Sequence, residues 1–174
     1  ADTERDSHSP ARRGWRYAHI GWVMDGTHDR PPLENLADFT RYPELRFIDR
    51  FSWLPVMVFA GATFAIGGAG ALVWVFAVAT TLSFHATLFI NSIAHGRKKA
   101  PQRYELRDYS RNSFWLALLT LGEGWHNNHH RCMSSARQGF RWWEIDVTYY
   151  ALVFLSALGI VGGLKAPPAW IRAR

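Results

Sequence analysis

The 174-residue sequence contains one cysteine, Cys132, so it can build neither an intrachain disulfide nor a cysteine-lined metal cage. It has no Asp, Glu, Lys or Arg from Phe51 through Gly96, although both flanks are rich in them. A small soluble core has no use for so long an uncharged run. A bilayer does, because a spanning helix needs about 20 mainly apolar residues to cross roughly 30 Å of hydrocarbon. The mean hydropathy of -0.14, which alone reads as soluble, averages over this segregation. The stretch ahead of the run lacks a signal-peptide pattern. The chain shows no internal repeat and no low-complexity tract.

What is present divides the uncharged run in two. Gly67-Gly68-Ala69-Gly70 suits a tight turn, since glycine reaches backbone angles that other residues avoid. The run therefore predicts a helical hairpin, with one span near 51–66 and a second near 71–94. Arg41, Arg46 and Arg50 precede it and Arg97, Lys98, Lys99 and Arg103 follow it, which puts both ends on the cytoplasmic side. A net charge of +6 fits an anionic membrane face, or an acidic protein or ligand at that face. Nothing else in the sequence supports a nucleic-acid partner.

Ser9-Pro10, Pro31-Pro32 and Tyr42-Pro43 punctuate residues 1–50 and favour short helices between them, notably from Trp15 to Met24. Beyond the hairpin, Ser113 to Gly122 is apolar but too short to span. Val147 to Leu164 is uncharged over 18 residues, the lower limit for a crossing. Thr148, Tyr149, Tyr150, Ser156 and its glycines favour an interfacial helix there instead.

The strongest local signal is Gly122-Glu123-Gly124-Trp125-His126-Asn127-Asn128-His129-His130. His126, His129 and His130 stand at i, i+3 and i+4 and share one helical face. Neutral imidazole is the commonest ligand for first-row metals. Clustering three such rings without a ligand gains little packing and invites repulsion on protonation, so a metal site is predicted. The spacing does not select a reaction. Asn91 and His95 also share a face, and the same spacing backwards gives Thr87 and Ser83, a polar stripe on an apolar helix. Such groups are costly at membrane depth unless they face protein, water or a ligand. Hydrogen bonds between helices account for Ser83 and Thr87. They account less well for His95, which emerges at the basic end where the histidine cluster is expected. His85 lies about 15 Å deeper along the axis and reads as a hydrogen-bonded structural histidine. His8 and His19 have no metal spacing and read as structural, or as supports for a ligand from outside the coordination sphere. His28, beside Pro31-Pro32, reads as solvated. Glu123 is placed to orient a ligand in the same indirect way.

Taken in order, these residues resemble the integral-membrane acyl desaturases of the stearoyl-CoA and bacterial delta-9 type, over nearly the whole chain. Gly124-Trp125-His126-Asn127-Asn128-His129-His130 resembles the third histidine box of that family. Asn91-Ser92-Ile93-Ala94-His95 resembles its additional site, where the asparagine reaches a metal through water and the histidine binds directly. Arg13-Gly14 followed by Ala18-His19-Ile20-Gly21-Trp22 resembles the stretch just after the second box. Thr87, with Leu88 beside it, falls where the family lines the bend of its acyl tunnel.

The resemblance implies an all-α membrane protein with a transmembrane helical hairpin and a cytoplasmic helical cap. Residues 1–174 would be the C-terminal part of one desaturase domain: a cytoplasmic segment at 1–50, the hairpin at 51–94 and the histidine-box cap at 95–174. It implies a multi-pass protein, in a bacterium of the inner membrane, with its active site on the cytoplasmic side. It also implies a diiron centre with His95, His126, His129 and His130 as ligands and Asn91 bound through water. The substrates would be O2 and an acyl thioester or acyl lipid, with electrons from a cytochrome b5-like or ferredoxin-like donor. Two hydrogens would leave adjacent methylenes to give a cis double bond.

Two features depart from the family. Its first two histidine boxes are absent, the second being expected a few residues before Ala1. The chain is therefore expected to be a portion of a longer enzyme, inactive alone, whose N-terminal half comes from elsewhere. Val23-Met24-Asp25-Gly26-Thr27-His28 stands where animal relatives carry basic residues that contact CoA phosphates. That leaves acyl-CoA, acyl carrier protein and phospholipid acyl chains open. A membrane diiron hydroxylase of a lipid or alkane, and a non-catalytic membrane protein holding one metal, remain as alternatives.

Overall fold

The structure is a computed structural model that describes residues 2–3, 6, 8–25, 36–96 and 102–172. His28 and the basic group Arg97, Lys98 and Lys99 lie outside the described residues. Among the described residues the chain is helical, with one isolated bridge between Asn112 and Trp125 and no strand. It divides into two compact units, one of residues 26–84 and one of residues 1–25 together with 85–174.

In the first of these, Pro43 opens the helix Pro43–Arg50 in its first turn, where a missing N–H costs nothing. The apolar run follows as helix from Trp53, but its geometry breaks at Gly68, with φ 62° and ψ -158°. That region is open in practice only to glycine. The rings of Phe59 and Phe76 lie 5.7 Å apart. Seventeen residues of unbroken helix would separate them by about 26 Å along the axis, so the chain does not run between them as one straight helix. The Leu72–Val78 segment that follows is a π-helix.

Gly68→Ala tests this turn cleanly. A β-carbon there would meet nothing within 4 Å, so only backbone strain is added. The expected cost is about 1–3 kcal/mol in thermal unfolding in detergent. Gly70→Ala, also without a neighbour within 4 Å and without positive φ, should be near neutral.

The stretch Trp53–Ala94 is 42 residues long, with a window of mean hydropathy 2.0, of which 6% is buried within the chain. A core helix of a soluble protein is mostly buried. These side chains are instead left to the surroundings, and the stretch is long and apolar enough to cross a membrane.

In the unit of residues 1–25 and 85–174, the last turns of the helix Ala79–Ala94 bury Leu88, Ile90, Ser92 and Ala94. Ile90 and Ala94 pack on Leu116 from the six-residue helix Phe114–Leu119. Ser113 caps that helix, its hydroxyl accepting from the Leu116 N–H at 3.3 Å. Asp146 caps Val147–Ala157 by accepting from the Tyr149 N–H at 3.0 Å. This helix occupies only the first part of the segment read as Val147 to Leu164, because Gly159 and Gly163 take positive φ and the chain leaves helical geometry. Its 11 residues reach about 17 Å, too short to cross a bilayer.

Candidate metal centre

The histidine box forms the helix His126–Arg131, six residues that could not hold a helix alone. Its neighbours hold it. The Asn112 side-chain oxygen accepts from the N–H groups of Asn127 at 2.9 Å and Asn128 at 3.1 Å, both donors the helix itself leaves free. Asn127 and Asn128 are fully buried. Asn127 accepts from the Tyr104 N–H at 2.8 Å and donates to the Tyr104 carbonyl at 3.1 Å. Asn128 donates to the Gln138 carbonyl at 2.8 Å and to Glu144 at 2.9 Å, and accepts from Asn112 at 2.8 Å. Glu144 also pairs with Arg103 and accepts from the Phe140 and Arg141 N–H groups. The two asparagines thus lock one face of the box into the fold and leave the histidine face for something else.

The Nε2 atom of His126 lies 3.0 Å from Nε2 of His95 and 3.0 Å from Nε2 of His130. One ligand atom from each of the three rings lies within 4.8 Å of the others. The far edges of two rings are held by carboxylates: His95 Nδ1 donates to Asp2 at 2.6 Å and His130 Nδ1 donates to Asp108 at 2.7 Å. His129 stands beside them, its ring centre 5.7 Å from those of His126 and His130. Its Nδ1 is buried with no hydrogen-bond partner among the described residues.

Burial holds His126 in its neutral form, with further help from the charges His130, His95 and His129 would carry, and its pKa falls to about 2. His129 and His130 are lowered as well, first by burial. Burial alone would raise the Asp2 carboxyl. Bonds from His95, Ser9 and the Tyr109 N–H outweigh it and bring Asp2 down to about 2.

These features fit a metal. With the Nδ1 atoms of His95 and His130 turned to carboxylates, their Nε2 atoms face that of His126 around one point, an arrangement suited to a cation. Neighbouring imidazole nitrogens on one first-row ion, each about 2.1 Å from it, stand about 3 Å apart. The donor set suits iron, zinc, copper or nickel alike.

The other residues singled out in the sequence are placed as follows. Asn91 lines, together with His95, Asp2, Asp6 and His8, a pocket of about 200 Å³. His19 bonds neither His95 nor the box histidines among the described residues. Its Nδ1 lies 3.0 Å from Ser92 Oγ and its Nε2 3.0 Å from His85 Nδ1, with Trp15 stacked on its ring. Glu123 is exposed and acts on His129 through its charge. Leu88 is buried and its carbonyl accepts the Ser92 hydroxyl at 3.0 Å, while Thr87 faces outward. Asp2, Asp108 and Asn112 were not singled out in the sequence, and no spacing signal points to them.

The fatty acid desaturase family profile matches residues 1–153. An sn-1 stearoyl-lipid 9-desaturase of Synechocystis is 39% identical over 97% of this chain and 52% of its own length. A probable chloroplast lipid desaturase of Arabidopsis thaliana is 36% identical over 95% of this chain and 46% of its own. An acyl-CoA 5-desaturase of Anemone leveillei is 37% identical over 95% of this chain and 52% of its own. The chain belongs to the fatty acid desaturase family. It spans about half the length of the curated relatives it matches. Family and apolar stretch together make it a membrane-associated chain.

Proposed function

We propose that these residues form the C-terminal part of an O2-dependent acyl desaturase that introduces a cis double bond into a saturated acyl chain. The observation that carries this reading is the convergence of His95, His126 and His130 in a member of that family. The metal would be a pair of irons, held by those three rings with His129, and by Asn91 through a water in the adjoining cavity. When bound, such a centre supplies an oxidant strong enough for an unactivated methylene C–H bond, which side-chain acids and bases cannot break. The chain's own part is to hold neutral imidazoles in place, to keep them from protonating by burial, and to fix the acyl chain beside them. The further ligands that a pair of irons needs would come from the part of the relatives' length that this chain does not span.

In this reading residues 51–94 cross the membrane and return, and residues 1–50 and 95–174 build a cap on the cytoplasmic side of an inner membrane. Arginines on both flanks of the hairpin support that orientation. A cytochrome b5-like or ferredoxin-like protein would bring electrons to the cap. Relatives are named for lipid-bound and for CoA-bound acyl chains, so both carriers belong in the assay.

Gas chromatography of the fatty acids of an expressing host tests the function. The 174 residues alone should add no double bond. Within a polypeptide restored to the length of the relatives they should produce a monounsaturated acid, and a hydroxylated product would favour the hydroxylase instead. In that polypeptide, Thr87→Val keeps the volume and removes the hydroxyl. Activity is expected to fall, or the double bond to shift along the chain, with metal content unchanged. An unchanged product at an unchanged rate would remove Thr87 and its neighbour Leu88 from the acyl tunnel.

A further inference from the structure

Among the described residues no hydrogen bond joins Glu123 or His19 to His95, His126, His129 or His130, whereas carboxylates hold two of those rings. We infer that Asp2 and Asp108 are the positioning residues of the metal site: each fixes one imidazole, of His95 and His130 respectively, with its proton on Nδ1 and its Nε2 lone pair turned toward the shared point. This rests on the metal reading above and deepens it.

Geometry separates support from ligation. The carboxylate oxygens bond Nδ1, across the ring from the Nε2 atoms that converge on His126. Each carboxylate is itself pinned. Asp2 accepts the Ser9 hydroxyl at 2.6 Å on one oxygen, and the Tyr109 N–H at 2.9 Å on the oxygen that meets His95. Asp108 accepts the Ser110 N–H at 2.9 Å. Turning either carboxylate toward the site would break these bonds. The contacts are also sheltered, with Asp2 1% and His95 7% exposed, and Asp108 13% and His130 16%. Because Asp2 bonds the backbone of Tyr109, the residue after Asp108, the two supports are mechanically joined. A change at one is expected to be felt at the other, so the double variant should not be additive.

A carboxylate behind a ligand imidazole does two things. It selects the tautomer that can bind metal through Nε2, and it raises the electron-donating power of the ring. Removing such a partner lowers metal affinity about 10–100-fold.

Cobalt(II) is a suitable probe, added to the full 174-residue chain in detergent and followed by its visible bands and by competition with a chelator. Asp2→Asn and Asp108→Asn keep an accepting oxygen and lose the charge; Asp2→Ala and Asp108→Ala lose both. The alanine variants should bind cobalt about 10–100-fold more weakly than wild type, and the asparagine variants should fall between with shifted bands. Asp25→Asn, whose carboxylate meets Tyr17 in an exposed contact, should leave affinity and bands unchanged. A purely structural role would lower the melting temperature and leave both cobalt readouts alone, which would overturn the inference. If circular dichroism shows the alanine variants unfolded, the asparagine pair decides. A folded wild type that takes up no cobalt would sink the metal reading itself, and this inference with it.

Discussion

Replacing His126 with alanine is expected to strip the protein of iron while leaving its fold in place. His126 is the middle ring of the cluster, its Nε2 3.0 Å from the Nε2 atoms of both His95 and His130. Without it the cluster loses the ring whose nitrogen lies 3.0 Å from both of the others. The box helix should survive, because its anchors are Asn112, Asn127 and Asn128 rather than the histidines. Iron occupancy after purification should fall to background. Affinity should drop by at least about 100-fold, which corresponds to about 2.7 kcal/mol. Metal analysis beside a thermal melt checks both halves. His8→Ala, whose ring stacks edge-on to Trp22 on the cavity wall, should retain the metal.

Gly124→Ala should be as damaging, for a different reason. A β-carbon there would sit 2.0 Å from the Ala117 nitrogen, 2.4 Å from the Leu116 carbonyl carbon and 2.5 Å from the Ala117 Cα. All three are backbone atoms, so no rotamer change relieves the overlap. The peptide is also tied on both sides, its carbonyl accepting from the Ser113 N–H at 2.9 Å and its N–H donating to Thr120 Oγ at 3.0 Å. To admit the methyl group, the turn that feeds Trp125 and His126 must leave the Phe114–Leu119 helix. The expected cost is above about 4 kcal/mol, seen as loss of a cooperative melt or loss of bound iron. Gly61→Ala, which adds a methyl group with nothing within 4 Å, should melt like wild type.

Periodicity made much of this legible. The i, i+3, i+4 histidines lie on one face of a short helix, and His95 comes to the same place from the end of the apolar run. The glycine-rich break in that run coincides with the positive-φ Gly68. What periodicity cannot show is which distant loop meets the far edge of a side chain. Asp2 lies 93 residues from His95 and Asp108 22 residues from His130, so no local pattern joins either pair. The same limit hid the pairing of His19 with His85, and the role of Asn127 and Asn128, which look like spacers between histidines and are among the most buried side chains of the chain. Glu123, next to the box in sequence, is exposed and reaches His129 through its charge rather than through a hydrogen bond among the described residues. The early end of the helix Val147–Ala157 falls just before Gly159 and Gly163, two of the glycines that already argued against a crossing there.

The most direct measurement is the iron K-edge X-ray absorption spectrum of the purified, iron-loaded polypeptide, recorded for wild type and for His126→Ala. The predicted wild-type spectrum has nitrogen neighbours at about 2.0–2.2 Å with the outer-shell scattering of imidazole rings, and His126→Ala loses that signal together with its iron. An iron bound through oxygen alone, with a spectrum that His126→Ala leaves unchanged, would contradict a metal centre built from His95, His126, His129 and His130.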